Sequence, residues 1–513
     1  MSRPSKRARG ALRRALMWFR TDLRVADNTA LFHAATDRDV DAVVGLFVVS
    51  PEEWRRHDLA PCKVSFMMRN VRELCGALMR RRIPLLVRVA ESPAEVPGVV
   101  VAAAEEAKCL RVYANKEYEV DERRRDEAVG ALCKERGIVL TTYHDQCGIP
   151  PVEGLVVSGS GNPYRVYTPF KKRWWELART MPTGEDFLEL VDAPGEQAPV
   201  EGVVGAACGE IQTDLPGFSH GPSFEGLYPA GETAAHDQLG AWAGQKIRAY
   251  SSERDDPSAD RTSRLSHFLA CGVLSPRQCI RAAREANGGR LDSGARGVVV
   301  WIQELIWRDF YRHVLHNWPR VCKGRAFKPE YDALEWAEGK AADANFRRWC
   351  EGKTGYPIVD AGMRQLNTTG WMHNRVRMIV ANFLVKDYQI DWRRGERYFM
   401  QHLIDGDFAS NNGGWQWAAG CGTDAQPYFR IFNPESQSKK FDADGTYARR
   451  YVEELRTVKD PKHIHNMPRD VAKRCGYPQK TVVHKEARAK TLEMYARLKA
   501  KGAKKEKTPA KKK

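Results

Sequence analysis

The stretch "DGDFASNNGGWQWAAG", residues 405–420, decides how the C-terminal half of this chain is read. It is poor core material. Asp405, Asp407, Asn411, Asn412, Trp415 and Trp417 fall within 13 residues, and Gly413 and Gly414 weaken any helix that carries them. Amides need hydrogen-bond partners and indoles need room. A segment of this composition suits the wall of a cavity better than the middle of a core.

Two further clusters on its N-terminal side repeat the theme. "WIQELIWRDFYRH" (301–313) puts Trp301, Glu304, Arg308 and Tyr311 on one helical face with Trp307 beside them. Its carboxylate is either half of a buried ion pair with Arg308 or a hydrogen-bonding group poised in an apolar pocket. "WMHNRVRM" (371–378) sets Trp371, Asn374, Arg375 and Met378 opposite the stripe of Val376, Ile379, Val380 and Phe383, whose i, i+3, i+4, i+7 spacing marks a core face. Nine of the 14 Trp lie between 301 and 417. Together the three clusters point to a cavity for a flat aromatic ligand and a base-like substrate. Helical periods run from about 232 to 455, and an all-α domain is set at 232–495.

Further out, the pattern changes. From "RALMWF" to "IVLTTYH", short runs rich in Val, Leu and Ile alternate with amphipathic helical stretches, which predicts an open parallel α/β sheet over 15–150. Asp27 or Asn28 is expected to cap its first helix. Such sheets hold ligands at the carboxyl ends of their strands, but no G-x-G-x-x-G follows the first strand, so ordinary dinucleotide binding is not expected. Residues 151–231 read as a long connector, rich in Gly, Pro, Ala and acids over 180–235.

The net charge of +17 is mostly in the tails. Residues 1–14 carry six positive side chains and no acid, and 499–513 carry eight lysines against Glu506, so thirteen of the seventeen charges lie there. Basic tails at 1–14 and 496–513 read as solvated charge runs suited to nuclear targeting or loose DNA contact, with a mitochondrial transit peptide as the other reading of the first. The twelve cysteines are scattered without C-x-x-C pairs, which suggests a reduced compartment and no metal centre. No uncharged apolar run approaches the ~18 residues of a membrane span. A monomer without membrane contact is expected.

Two tempting motifs fail. Gly352-Lys353-Thr354 has Arg347 where a phosphate loop needs Gly, and no strand precedes it. "GSGNPY" (159–164) is an ordinary turn. "TSRLS" (262–266) groups three hydroxyls and Arg264 just before a helix-like run; N-capping is the plainer reading, and a pyrophosphate at the helix start is the alternative.

These stretches, with "MWFRTDLRVADNTAL" (17–31) and "GKTGYPIVDAGMRQLNTTGWMHNRVRMIVANFLVKD" (352–387), give the chain a specific resemblance to the photolyase/cryptochrome family. The resemblance is closest to the class I cyclobutane pyrimidine dimer photolyases and extends to about residue 490. It implies a Rossmann-like antenna domain, a long linker and a helical domain that binds FAD, active as FADH⁻, which splits a flipped-out dimer in UV-damaged DNA by light-driven electron transfer. By motif, Tyr250, Thr262, Ser263, Arg264, Leu265 and Ser266 would hold the pyrophosphate. Trp301 and Gly406 belong to the same cofactor set, Asp405 and Asp407 would meet the flavin and adenosine ends, and Asp405 would pair with Arg377. Asn411 would face flavin N5, where plant cryptochromes have Asp and insect ones Cys.

On the substrate side, the resemblance implies that Glu304 hydrogen-bonds a thymine carbonyl. Trp307 and Trp417 would wall the dimer, with Asn374 and Met378 completing the pocket. Trp415, Trp392 and Trp336 would relay electrons to the flavin, and Arg254 and Arg375 would grip DNA phosphates. His57, Asp121, Glu122, Cys322 and Lys323 lie where folate-using members bind methenyltetrahydrofolate as an antenna. Asp121 departs from the Asn usual there, which leaves a deazaflavin or an empty site as alternatives. Two rival readings stand beside this one: a (6-4) photolyase, which carries paired histidines where this chain has Asn374 and Met378, and a cryptochrome that signals by partner binding without repair.

Overall fold

The computed structural model describes residues 12–180, 187–218 and 223–506. Five strands, β1 (Arg14–Phe19), β2 (Ala42–Val49), β3 (Leu85–Val89), β4 (Cys109–Asn115) and β5 (Val139–Tyr143), form one parallel sheet in the order β3-β2-β1-β4-β5. A parallel sheet is covered on both faces, so its strands bury successive side chains in opposite directions. In β1, Ala15, Met17 and Phe19 enter one core while Leu16 and Trp18 enter another. The crossover helices include α1 (Thr29–Thr36), α2 (Pro61–Met79), α3 (Val96–Glu106) and α4 (Val120–Glu135). Of the two expected caps of α1 it is Asn28 that accepts from the Leu31 amide. Asp27 instead accepts from Arg277 at 3.0 Å.

Among the described residues every regular element after Tyr143 is helical. The segment 151–231 departs from the expected connector, because Tyr167–Thr180 forms a helix, α5. Tyr167, Phe170, Trp174 and Leu177 are buried along it at helical spacing, and the Gly- and Pro-rich composition begins only beyond it. The later helices that build the site are α6 (Ser266–Ala270), α7 (Arg296–Asn317), α8 (Asn374–Asn382), α9 (Trp392–Met400), α10 (Phe408–Ala419), α11 (Pro434–Phe441) and α12 (His484–Glu506). α12 runs through residue 496, the expected start of the Lys-rich tail. Residues 1–11 and 507–513, the ends of the two basic tails, lie outside the described residues.

One buried ion cluster fixes the sheet half against the helical half. Arg277 bonds Asp27 and, at 2.7 Å, Asp145, which also accepts from Arg24; all four side chains are buried. Such a cluster adds little net stability, but removing one partner strands a buried charge at a cost of about 3–5 kcal/mol. It therefore sets the geometry of the crevice between the halves.

Candidate functional site

Three helices bring the polar-plus-indole clusters together. α7 carries Trp301, Glu304 and Trp307, α8 carries Asn374, Arg375, Arg377 and Met378, and α10 carries Asn411, Trp415 and Trp417. The glycines of the 405–420 stretch explain how they meet. A Cβ on Gly413 would stand 2.2 Å from the Tyr311 ring, so only glycine lets α10 lie this close to α7. Across the helix, Gly395 of α9 makes the same allowance for Trp415, whose Cη2 is 2.1 Å from the site of the missing Cβ. α10 itself starts at Asp407, whose side chain accepts from the Ser410 amide at 2.9 Å.

Glu304 pairs with Arg254 at 2.5 Å, not with Arg308. Arg308 instead donates to the carbonyls of Gln146 and Leu269. Burial raises the Glu304 pKa above the usual carboxylate range, and the Arg254 charge only partly offsets it. Yet the side chain is 33% exposed. A group that is poorly solvated but still reachable lines a concave space. Trp307 stacks on Tyr167 with centroids 3.5 Å apart and planes at 9°, a rigid wall that the sequence reading missed because it placed Tyr167 in a connector. The signal was present in the 167, 170, 174, 177 spacing. Trp417 is half-buried, 6.4 Å from Phe432, Met378 is half-buried, and Asn374 is exposed. Trp301 is buried and packs near Trp242.

The two arginines expected to grip phosphates are each held by a carboxylate. Arg254 has Glu304, and Arg375 has Asp255 at 2.8 Å while stacking 4.6 Å from the Phe441 ring. Tyr250 lies under Arg254 at 5.4 Å.

Deeper in, Arg377 and Asp405 form the expected pair at 2.8 and 3.0 Å. "TSRLS" does not cap its helix: Leu265 stands at the start of α6 with no side-chain cap bond. Arg264 has a left-handed φ of 50° and Leu265 a right-handed φ of −87°. Consecutive residues of opposite hand turn their amides into one concavity, a nest that suits an anion. Asn411 donates from Nδ2 to the Glu396 carbonyl at 2.9 Å, which anchors its amide nitrogen and leaves the oxygen as the free end. Trp415 and Trp392 are buried and Trp336 is half-buried. Trp415 also meets Phe399 and Trp349 edge-on at 5.0 and 6.0 Å, neighbours the sequence reading did not include.

A cavity of about 700 Å³ opens at the carboxyl ends of β1 and β4, where the strand order reverses and sheets of this kind hold ligands. It collects His57, Asp121, Glu122, Cys322 and Lys323, with Gly406 and Asp407 on the helical side. Asp407 is paired there with Arg312 at 2.5 Å. The cavity also exposes Glu53, Glu117, Glu119 and Glu396, which no local pattern in the sequence marks. Glu119 and Glu396 are pushed up to about 7 by burial. Glu53, His57 and Glu122 bring ligand atoms within 4.8 Å of one another, although Glu53 already faces Arg125 at 3.3 Å.

Burial alone would lower the His57 pKa, but the hydrogen bond and charge of Glu122, with Glu53 and Asp121, raise it to about 9. The stabilisation from these contacts is therefore fully present below about pH 6.5 and lost as pH rises through about 9. In a histidine NMR titration of the folded protein we expect a His57 midpoint well above about 7; a midpoint at or below about 6.5, the unperturbed value, would contradict this electrostatic picture.

Comparison with known proteins places this arrangement. Residues 15–187 match the DNA photolyase family and residues 301–497 the FAD binding domain of DNA photolyase. The deoxyribodipyrimidine photo-lyase of Escherichia coli is 43% identical over 94% of this chain and 98% of its own length. That of Neurospora crassa is 40% identical over 94% of this chain and 81% of its own. Among solved structures, a class III photolyase from Agrobacterium tumefaciens superposes with a TM-score of 0.80 at 31% identity, covering 97% of this chain and all of the other. A Sulfolobus tokodaii photolyase, described with two FAD molecules, gives 0.74 at 30%, covering 94% of this chain and all of the other.

The chain belongs to the DNA photolyase family. Its helical half is the family's FAD-binding domain, and the donor set fits that cofactor. The nest at Arg264–Leu265 suits a pyrophosphate, the Arg377–Asp405 pair offers both a donor and an acceptor to polar ring edges, and the anchored Asn411 amide presents an oxygen to an N–H. As a photolyase domain, the N-terminal half supplies the sheet-end cavity. Glu396 of α9 lines that cavity while its carbonyl holds the Asn411 amide, so α9 touches both the cavity and a residue expected at the flavin.

Proposed function

We propose that this protein is a deoxyribodipyrimidine photo-lyase that restores cyclobutane pyrimidine dimers in UV-damaged DNA under light. The observation that carries this reading is Glu304, poorly solvated yet reachable, set on one helix with Trp307. Bound FAD supplies the light-driven electron that opens the cyclobutane ring.

Photolyases act on a base taken out of the stack, and the residues here suit that chemistry. Trp307, braced by Tyr167, and Trp417 offer apolar faces to the dimer, with Met378 and Asn374 at the edge. Burial raises the Glu304 pKa and so eases uptake of a proton once Arg254 turns to DNA; the protonated carboxyl can then donate a hydrogen bond to a pyrimidine carbonyl as negative charge develops there. Arg254 and Arg375, paired with Glu304 and Asp255 in the free protein, exchange those carboxylates for phosphates when DNA arrives. Trp415, Trp392 and Trp336 form the relay that returns electrons to the cofactor. In the sheet-end cavity we propose a planar antenna chromophore, methenyltetrahydrofolate, on His57, Asp121, Glu122, Cys322 and Lys323. The two FAD molecules of the Sulfolobus tokodaii relative support a second chromophore in this family.

Glu304→Ala is expected to cut repair per absorbed photon about tenfold or more, as loss of one preorganised donor does, while FAD content stays normal. Repair yield of a dimer oligonucleotide and flavin absorbance are the two readouts. Loss of FAD would show that Glu304 holds the cofactor instead, and an unchanged yield would remove it from the chemistry.

A further inference from the structure

The connector between the two halves carries a pair of thiols that neither site uses. Part of it, residues 197–211, runs along β3, the edge strand of the sheet, and along α2 beside it. The Gln197 amide donates to the Arg81 carbonyl at 2.9 Å, the Ala206 amide to the Leu85 carbonyl at 2.8 Å, and Arg72 of α2 to the Ile211 carbonyl at 2.7 Å. Gly205 comes so close that a Cβ there would stand 3.0 Å from the Leu85 nitrogen. Backbone contacts on both sides therefore fix where residue 208 lies.

Cys208, on the single turn Cys208–Glu210, faces Cys75 of α2. Its thiol donates to Cys75 Sγ at 2.8 Å and also lies 3.3 Å from Met79 Sδ. The Cys75 thiol donates to the Ala206 carbonyl at 3.3 Å. Cys75 is buried, but Cys208 is half-buried and Met79 is 55% exposed, so a solute reaches the pair from the Cys208 side. A disulfide bond is about 2.05 Å long, so the two sulfurs need to close by less than about 1 Å. Two thiolates sharing one metal ion at about 2.3 Å each would stand about 3.7 Å apart, which suits this pair less well. The cysteines are 133 residues apart, and no spacing in the sequence marks them.

We infer that Cys75 and Cys208 are a reversible dithiol–disulfide pair, oxidised by exchange with a small disulfide such as oxidised glutathione, whose bond locks the connector onto α2. Cys208, as its thiolate, attacks one sulfur of oxidised glutathione and releases one glutathione. Cys75 then gives up its proton and attacks the Cys208 sulfur, releasing the second. Two electrons and the two thiol protons pass to glutathione. The order follows from the surroundings. Burial and the hydrogen bond from Cys208 push the Cys75 thiol up to about 12, so the first attack falls to the more accessible Cys208. Once Cys208 is bonded to glutathione its thiol no longer opposes ionisation of Cys75. In a reducing compartment both remain thiols, as the scattered cysteines suggest, and oxidation acts on this pair first.

The test equilibrates the full chain in glutathione buffers from reducing to oxidising, blocks the remaining thiols with a maleimide and digests with trypsin. The expected product is peptide 73–80 linked to peptide 180–246, each of which holds one cysteine. Cys475, half-buried with its thiol on the Ala472 carbonyl at 3.5 Å, is the internal reference and should form no link. As a second readout, cleavage of the connector by a Glu-specific protease at the exposed Glu196, Glu201 and Glu210 should slow about tenfold or more on oxidation and recover with dithiothreitol. Cys208→Ser should abolish both the link and the redox dependence of cleavage; it is the chosen variant because Cys75 is buried and its replacement risks the fold. Cys75 and Cys208 each carrying glutathione, or both still open to the maleimide in the most oxidising buffer, would overturn the inference. So would a link that forms only in denaturant, or a link that leaves cleavage unchanged. Protection of both thiols without a link, with copper retained by the protein, would overturn it in favour of a soft metal ion at the same sulfurs.

Discussion

Gly395→Val is expected to destabilise the protein by about 3 kcal/mol or more and to release its flavin. In an exposed helix, replacing glycine with alanine usually stabilises by about 0.5–1 kcal/mol. Gly395 reverses that sign, because its missing Cβ is 2.1 Å from Trp415 Cη2, 2.4 Å from Cζ3 and 2.7 Å from a Leu384 methyl. Trp415 is 2% exposed and held by Phe399 and Trp349, so it has no room to retreat. The added groups must part α9 from α10 and with them the anchor that α9 gives Asn411. Gly240→Ala is the control, since nothing lies within 4 Å of its Cβ position and the residue is exposed on a helix. The melting temperature should fall for Gly395→Val and rise slightly for Gly240→Ala, and flavin absorbance should drop only in Gly395→Val. A Gly395→Val protein with unchanged melting temperature and full flavin content would show that the helices yield more easily than their packing indicates.

Trp415→Phe is expected to slow light-driven reduction of the bound flavin by at least about tenfold. The substitution removes the buried indole proposed as the first member of the relay and leaves a smaller ring at the same place, at a cost of about 1–3 kcal/mol in packing. Repair by protein that has been reduced chemically beforehand should be retained, because that step does not call on the relay. The measurement is flavin absorbance during blue-light illumination with an external thiol, followed by a repair assay on prereduced protein. Undiminished photoreduction would move the first donor elsewhere, with Trp349, 6.0 Å away from Trp415, next in line.

Much of this architecture is local and therefore legible in the sequence. The strands of the sheet follow from apolar runs of strand length between helical stretches, and α8 from the stripe Val376, Ile379, Val380 and Phe383, all buried. The Arg377–Asp405 pair came with the resemblance and is present. What was not legible depends on distant chain segments meeting. Local spacing offers Glu304 a partner in Arg308, four residues on, yet its partner is Arg254, 50 residues back. The Asp255 that holds Arg375 is 120 residues from it. Of the five glutamates of the sheet-end cavity only Glu122 was expected; Glu53, Glu396 and the pair Glu117 and Glu119 come from three separate segments, and none sits in a pattern of its own. Tyr167 is a different case. Its helical spacing was visible, but the Gly- and Pro-rich composition farther along masked it.

The central claim is that one cavity holds the flavin against an extruded dimer, with Glu304, Trp307 and Trp417 on the dimer side. Fluorescence of the reduced, FAD-loaded protein tests it most directly when a dimer-containing oligonucleotide is added, with undamaged DNA of the same sequence as the control. Strong quenching by the dimer strand alone, followed by loss of the dimer only on illumination, is the predicted result. Tight binding of the dimer strand that leaves the emission unchanged, with no loss of the dimer in light, would contradict it.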